Sequence, residues 1–567
     1  MSARKKRWEI KGTAPADVLI ASPDVSPVVA SLLYQRGLRG SESIAAFLSS
    51  DYRGGLHDPF LMKGMDAAAT RIARAVAEHE PIIVYGDYDT DGVTSVTLLV
   101  QAIRAMGGDI QPYIPHRERD GYGLNNVASD KLAASGVKLL ITVDCGISNA
   151  DEVAHAKQLG IDVIVTDHHT PPEQLPAAYA IINPKQPGCT YPFSQLTGVG
   201  IAYKLVQALA RKGLKMALRG RDLLDVVALG TVADMGPLVG ENRVLVRAGL
   251  ESLNATQRPG LAALIAEAGL VQGRVTATDI SFMLGPRLNA AGRLDDAVLA
   301  YRLLLAEDLA EARELAQQLN TANRRRQELT REAQATASAR IYEQGKAERR
   351  IVVHDGEYAA GIVGLVAAKL VDEFGRPVLL VERGEEFSRG SARSVPGFNI
   401  IAALTDCADL FTRFGGHSAA AGFTIPTAQL PELERRLNDY ADAHLPDELL
   451  QPALQIDAEL PLGDLSWQLL GQLSALEPFG FGNSQPVLLS SKVRAVGWAR
   501  GNEGAHLKLR LDDGQGGASF DAIAFRLGHL AEFFATPRII DIVYTFEANE
   551  WQGQRTLQLN VKDFRRA

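Results

Sequence analysis

Three times in the first third of the chain an apolar run stops at a carboxylate. PIIVYGD (residues 81–87), VKLLITVDCG (137–146) and IDVIVTDHH (161–169) share this design. Each run reads as a buried strand with polar residues at its carboxyl end, and helical segments separate the runs. The stretch 81–235 is therefore expected to form a parallel α/β sheet. In open parallel sheets, ligands bind beyond the carboxyl ends of the strands. That geometry gathers three separate polar tips into one candidate site.

The tips are rich in anionic oxygen. GDYDTDG sets Asp87, Asp89 and Asp91 at alternate positions, which on an extended segment share one side. Taken alone, this could be an acidic turn. The second tip adds Asp144 and the third Asp167-His168-His169, while ALGTVADMGPL brings Asp234 to the end of another apolar run. So many like charges repel unless cations neutralise them. Carboxylate oxygens with imidazole nitrogen suit a divalent ion of intermediate softness such as Mn²⁺; Mg²⁺ sites usually avoid His and keep several waters. The ligand count is too large for one ion. Two ions roughly 3.5–4 Å apart would use it, with Asp144 on the middle strand as the bridge. Such a pair generates a hydroxide nucleophile and stabilises phosphoryl charge during in-line attack. Cys145, beside the bridge, reads as a small buried hydrophobe.

The remaining patterning divides the chain. Residues 1–75 carry helical patterning, 76–305 the strand-end motifs, and 306–349 one long connecting helix with Asn323-Arg324-Arg325-Arg326 at its middle. A second α/β unit spans 350–455, and short strands after 485 suggest an OB-like barrel within 456–567. The composition, 46% hydrophobic and 22% charged, is that of an ordinary soluble chain. No apolar run approaches the ~18 residues of a membrane span, and the basic start lacks the apolar core of a signal peptide. Three scattered cysteines leave a reducing cytoplasm as the expected compartment. The net charge is −8, yet residues 321–350 hold eight Lys/Arg against four Asp/Glu. The bulk charge therefore neither requires nor excludes a polyanionic substrate.

GDYDTDG, TVDCG, VTDHH and GTVADMGPL, in this order and spacing, resemble the four motifs of the DHH phosphoesterase superfamily. LFTRFGGHSAAAGF (410–423) with GSARS (390–394) resembles its companion domain, DHHA1. PRLNAAGRLDDA (286–297) and EPFGFGN (477–483) resemble stretches typical of RecJ-type exonucleases. The resemblance covers nearly the whole chain after residue 50. It implies an α/β protein: a parallel-sheet DHH domain, a long connecting helix, a second α/β DHHA1 domain and a C-terminal OB-like β-barrel.

It also implies an activity, the 5′→3′ degradation of single-stranded DNA to mononucleotides in repair and recombination, with two Mn²⁺ or Mg²⁺ ions per active site. By motif match the metal ligands are Asp89, Asp91, Asp144, His168 and Asp234. Asp87 is a further ligand or stands behind them, and His169 is a ligand or donates to the transition-state phosphate. Tyr85 occupies the position where other members of the superfamily carry His. GSARS supplies Ser391, Arg393 and Ser394 in a Gly-punctuated loop. GGH supplies the amides of Gly415 and Gly416 together with His417, and the AAAG that follows reads as a helix start suited to anion binding. In RecJ-like proteins this domain faces the metal site and contacts the DNA end. Arg117, Tyr122 and Arg287 resemble other end-binding positions, with Tyr122 suited to stacking on a base. On the barrel, Trp498, Phe525, Trp551, Lys508, Arg510 and Arg526 are candidates for following a strand. The resemblance implies a helicase and a single-strand-binding protein as partners, and the self-contained chain suggests a monomer with no membrane contact. Two other readings compete: hydrolysis of a small phosphorus substrate such as pyrophosphate, and a DNA-binding scaffold with a dead site. The barrel argues against the first and the intact carboxylates against the second.

Overall fold

A computed structural model describes the chain except residues 1–5, 21–24, Glu118, Tyr122, Gln515 and Gly516, and the side chains of Ile20, Glu503 and Trp551. The chain forms two compact units. One comprises residues 8–286, 301–313 and 455–567, the other residues 1–7, 287–300 and 314–454.

The larger unit contains the expected sheet. Strands β1 (Ile82–Gly86), β2 (Ile110–Tyr113), β3 (Leu139–Val143), β4 (Asp162–Thr166) and β5 (Ala180–Ile182) lie in the order β2-β1-β3-β4-β5, and every pairing is parallel. β1 and β3 are buried at every position, as the continuous apolar runs require when both faces are covered. The register aligns Gly86 with Val143 and Val143 with Thr166. Asp87, Asp144 and Asp167 therefore leave the sheet side by side. After β1 the chain crosses to β2 on one flank, and β3 lies on the other. The three tips thus stand at the switch point, where such sheets bind ligands. Helices α1 (Thr90–Ala105), α2 (Gly198–Arg211) and α3 (Leu224–Ala233) pack against one another beside these tips.

A 35-residue helix, α4 (Leu309–Glu343), runs without Pro or Gly, and its Arg324 and Arg325 are exposed. In the smaller unit, β6 (Val352–Gly356) and β7 (Val378–Glu382) are parallel and joined through α5 (Val363–Phe374). Strands β8 (Phe387–Arg393), β9 (Arg413–Gly416) and β10 (Ala420–Pro426) extend the sheet antiparallel, giving the order β9-β10-β8-β7-β6. Two local expectations are corrected here. GSARS lies on strand β8 up to Arg393 rather than in a loop. GGH begins no helix: Gly415 and Gly416 end β9, and the His417 amide donates to the Ala420 carbonyl in the turn to β10. Alanine favours helix, but pairing with β8 and burial of Ala421, Phe423 and Ile425 decide the outcome.

The end of the chain, in the larger unit, is a barrel. Strands β11 (Ala458–Glu459), β12 (Leu488–Arg500), β13 (His506–Asp512), β14 (Ser519–Ala524), β15 (Arg538–Trp551) and β16 (Gln554–Arg566) form one sheet. The β12–β15 pairing closes a five-stranded ring. Its core is not made by the barrel alone. Val29, Leu32, Leu33, Ile44 and Phe47, from helices Pro27–Gln35 and Ser41–Leu48, are buried in one cluster with Leu488, Leu507, Ile542 and Leu559. Arg243, itself buried, donates to the carbonyls of Phe47 and Leu476 and lies 3.9 Å over the Phe47 ring. The N-terminal helices thus share the barrel's core. Among the described residues, no helix is long and apolar enough to cross a membrane.

Candidate metal centre

Asp89 ends the turn after β1 and caps α1, its Oδ1 accepting from the amides of Asp91 and Gly92. The alternation that suggested an extended acidic segment therefore acts through a helix start, and it turns Asp91 inward. Asp91 is buried and accepts from the Gly198 and Val199 amides at 2.7 and 2.8 Å. These amides open α2, whose N-terminal partial charge suits a carboxylate. Asp144 follows β3 at φ 58°, a left-handed backbone that is strained for a non-glycine residue. Asp234 caps the end of α3, and Met235 after it has φ 61°. Strain at both positions points to a site held in place by its surroundings.

These elements bring the candidate ligands together. His168 Nε2 lies 3.0 Å from Asp144 Oδ1, 3.9 Å from Asp234 Oδ2 and 4.0 Å from Asp91 Oδ2. Three groups offer ligand atoms within 4.8 Å of one another: Asp91, His168 and Asp234; Asp87, Asp89 and Asp144; and Asp144, His168 and His169. Asp144 and His168 each belong to two of them and so link the sets. Asp87 offers a ligand atom to one of them.

The electrostatics favour cations. Burial, then Asp89, pushes Asp91 up to about 7, and burial, then Asp91, pushes Asp234 up to about 9. Asp87 and Asp144 lie well above the usual carboxylate range for the same two reasons, burial and neighbouring carboxylates. Burial, reinforced by His169, holds His168 down at about 3, so its imidazole is neutral and offers a lone pair. Asp87 Oδ1, Asp144 Oδ1 and His168 Nε2 are buried without a hydrogen-bond partner. Asp144 Oδ1 and His168 Nε2 thus lie 3.0 Å apart without a hydrogen bond. That spacing is what two donors about 2.0–2.2 Å from one shared ion adopt at roughly a right angle. The donor set fits a divalent metal.

Residues outside the expected set hold the centre in place. Asp167 accepts from the Ile147 amide and from both the amide and Nδ1 of His169, the last at 2.7 Å. Burial pulls His169 down, but the Asp167 hydrogen bond and charge outweigh it, and the imidazole ends above its ordinary value. Lys185 donates to the His168 carbonyl, and Asn183 to that of His169. Gly198 and Gly230 are small because the site has no room: an added Cβ would lie 2.8 Å from Asp144 Cβ at Gly198 and 2.2 Å from Thr94 Oγ1 at Gly230. The sequence signals were a carboxylate two residues before His169 and glycines at helix contacts. Such glycines read as ordinary until a carboxylate is found against them.

Tyr85 points away from this chemistry. It is buried, donates to the Gly123 carbonyl and stacks on Tyr113. Cys145 is a buried free thiol. Arg117 lies 5.1 Å over the Tyr88 ring, close enough for its charge to act on Asp87. Tyr122 lies outside the described residues. In the smaller unit, Arg393 donates to Ser391 Oγ at 2.7 Å, and its Nη2 is 2.7 Å from where a Gly364 Cβ would stand, in the first turn of α5. No carboxylate among the described residues pairs with this guanidinium, and burial lowers its pKa. Arg287 donates to Asn320 Oδ1, whereas Gly415, Gly416 and His417 are exposed. On the barrel, Trp498 and Phe525 are exposed, and Lys508 and Arg510 both pair with Asp521.

Known proteins resemble this chain along most of its length. Residues 81–231 match the DHH family, N-terminal domain, residues 348–443 the DHHA1 domain and residues 456–563 the RecJ OB domain. The chain is 39% identical to the single-stranded-DNA-specific exonuclease RecJ of Bacillus subtilis, over 99% of this chain and 71% of that one. To the protein of the same name in Escherichia coli it is 34% identical, over 95% and 96%. The crystal structure of RecJ from Thermus thermophilus in complex with Mn²⁺ superposes with TM-score 0.81 at 32% identity, covering 100% of this chain and 80% of that one. The complex of that protein with Mg²⁺ gives TM-score 0.76 at 30% identity, with 99% and 78% covered.

Proposed function

The chain belongs to the RecJ family of single-stranded-DNA-specific exonucleases, and on that premise we propose how its own residues carry out the hydrolysis. The observation that carries the reading is the approach of Asp144 Oδ1 to His168 Nε2, two buried polar atoms 3.0 Å apart with no hydrogen-bond partner. Asp91, His168 and Asp234 would hold one Mn²⁺ or Mg²⁺ ion, and Asp87 and Asp89 a second, with Asp144 within reach of both sets. When bound, the ions supply a nucleophile at neutral pH and neutralise charge on the phosphoryl oxygens.

The protein supplies the rest. Asp167 fixes the His169 ring through Nδ1 and favours its cationic form. The Nε2 proton of His169 is then a donor for a phosphate oxygen as charge develops there. Lys185, holding the His168 carbonyl, keeps the imidazole turned to the ligand set. The amides of α2 favour the ionised, ligating form of Asp91 against the burial that opposes it.

Polarity belongs to the smaller unit. Arg393 with Ser391, over the first turn of α5, makes an anion site for the 5′-terminal phosphate. Gly415, Gly416, His417, Arg287, Arg117 and Tyr122 are further contacts to the end of the strand. The enzyme works as a cytoplasmic monomer in repair and recombination, on strands opened by a helicase and held by a single-strand-binding protein. Support for these last assignments comes from the family resemblance.

The test is direct. End-labelled single strands, duplex and pyrophosphate are incubated with Mn²⁺ or with chelator. Mononucleotides released from single strands alone, and with metal alone, are the expected result. Equal turnover of pyrophosphate would overturn it. Crystals soaked in manganese should show two anomalous peaks between Asp144 and the two carboxylate sets.

A further inference from the structure

The Asp234 corner of the cage is bordered by three segments, and each leaves one large apolar side chain in solvent. Met235, next to the ligand, is 64% exposed; Phe282 is 74% and Phe481 59%. Phe282 lies in a π-helical turn, Ile280–Leu284, and such turns concentrate at functional sites. The turn is fixed against the metal helices: an added Cβ at Gly285 would lie 3.2 Å from Ala233 Cβ, and the Gly285 carbonyl accepts from Thr90. Phe481 lies in the EPFGFGN segment, which the activity described above does not use. Its carbonyl accepts from the Leu238 amide at 2.7 Å, and a Cβ on Gly482 would lie 2.9 Å from Pro237. The segment therefore clasps the loop that follows Asp234.

Isolated exposed apolar residues need no explanation, but here three stand on segments that pack around residues 233–238, beside Asp234. Burying them would have been the cheaper arrangement for folding alone. We infer that Met235, Phe282 and Phe481 form an apolar rim that receives nucleobases of the single strand as its terminal phosphodiester enters the cage. This rests on the exonuclease reading and extends it to base contact. A strand whose phosphate is at the metals must place the attached bases beside them. Base faces stack on aromatic and thioether groups whatever the sequence. A base paired inside a duplex is stacked on both sides and cannot turn a face to the rim without being unpaired. The rim is thus a specificity element for unpaired ends.

The experiment places a single abasic residue, phosphate retained, at each of the first three positions from the cleaved end of a labelled strand. kcat/KM is measured with Mn²⁺ for the wild type, Phe282→Ala, Phe481→Ala and the double variant. In the wild type, removing the base that meets the rim should lower kcat/KM by roughly 5- to 100-fold, as expected for loss of one stacked base. In the double variant the intact strand should already be slowed, and the abasic penalty at that position should fall to within about twofold. A merely structural role would slow intact and abasic strands alike and preserve the penalty, which would overturn the proposal. Release with no penalty in the wild type would also overturn it. No release from any strand would overturn the exonuclease reading, and the rim with it.

Discussion

Gly198→Ala adds one methyl group to the most crowded point of the cage. Gly198 opens α2 without a positive φ, so the change introduces contact rather than backbone strain. The new Cβ would lie 2.8 Å from Asp144 Cβ and 3.0 Å from Asp91 Oδ2. Ordinary carbon contacts sit near 3.5–4.0 Å, so something must move by about 0.7 Å or more. Neither neighbour is free to do so. Asp91 is tied to the amides of Gly198 and Val199, and Asp144 is already held at φ 58°. Overpacking of this kind costs about 1–3 kcal/mol. If that cost falls on the ligand geometry, Mn²⁺ affinity drops by roughly 5- to 150-fold. Calorimetric titration of Mn²⁺ into chelated protein measures the loss directly. Gly471→Ala is the control, because nothing lies within 4 Å of its added Cβ and the residue is inside a helix. It should bind Mn²⁺ normally and gain a few tenths to 1 kcal/mol of stability. If Gly198→Ala binds Mn²⁺ within twofold of the wild type, the packing argument for the cage is refuted.

The remaining predictions test charge, orientation and the strand end. Asp144→Asn should abolish cleavage with Mn²⁺ while retaining strand binding in a gel-shift assay; residual cleavage above about 1% would remove Asp144 from the bridge. Asp91 at about 7 and Asp234 at about 9 stand above the 3.8 of an ordinary aspartate. The folded, chelated protein therefore holds protons that the unfolded chain releases, and its stability falls as pH rises from about 4 towards 9. Added Mn²⁺ displaces those protons, so the metal-induced rise in Tm should grow over the same range, and a pH-independent rise would refute the assignment. Asp167→Asn removes what raises His169: kcat should fall roughly 10- to 100-fold and its alkaline limb should move to lower pH, whereas an unmoved limb would exclude His169 as the donor. Arg393→Ala should weaken a 5′-phosphorylated strand more than the same strand with a 5′-hydroxyl, and equal weakening of both would remove Arg393 from the end site.

The sheet and the cluster of carboxylates and imidazoles were legible because both depend on local pattern. A buried parallel strand must be apolar throughout, and a metal cage must be anionic, so PIIVYGD, TVDCG and VTDHH announce themselves. What the pattern misses is set by distant contacts. AAAG after GGH carries the propensity of a helix but pairs as a strand with Phe387–Arg393. Asp91 seemed one of three equivalent carboxylates, yet helix α2, more than 100 residues later, buries it and leaves Asp89 as a cap. Asp167 precedes the two histidines in plain view, but only the 2.7 Å bond to His169 separates an orienting group from a ligand. Nothing local in the first helices says that their apolar faces meet residues near 540.

That last arrangement bears on how the protein is made and dissected. Val29, Leu32 and Phe47 are synthesised first, and their burial waits for strands at the far end of the chain. A nascent chain that has completed its parallel sheet still carries these side chains without their partners until the ring closes. Removing the C-terminal strands therefore does more than open the ring. It strips the cover from the opening helices and leaves their apolar faces without the strands that bury them. A truncated enzyme should be judged first by whether it melts, and only then by how far it travels along a strand.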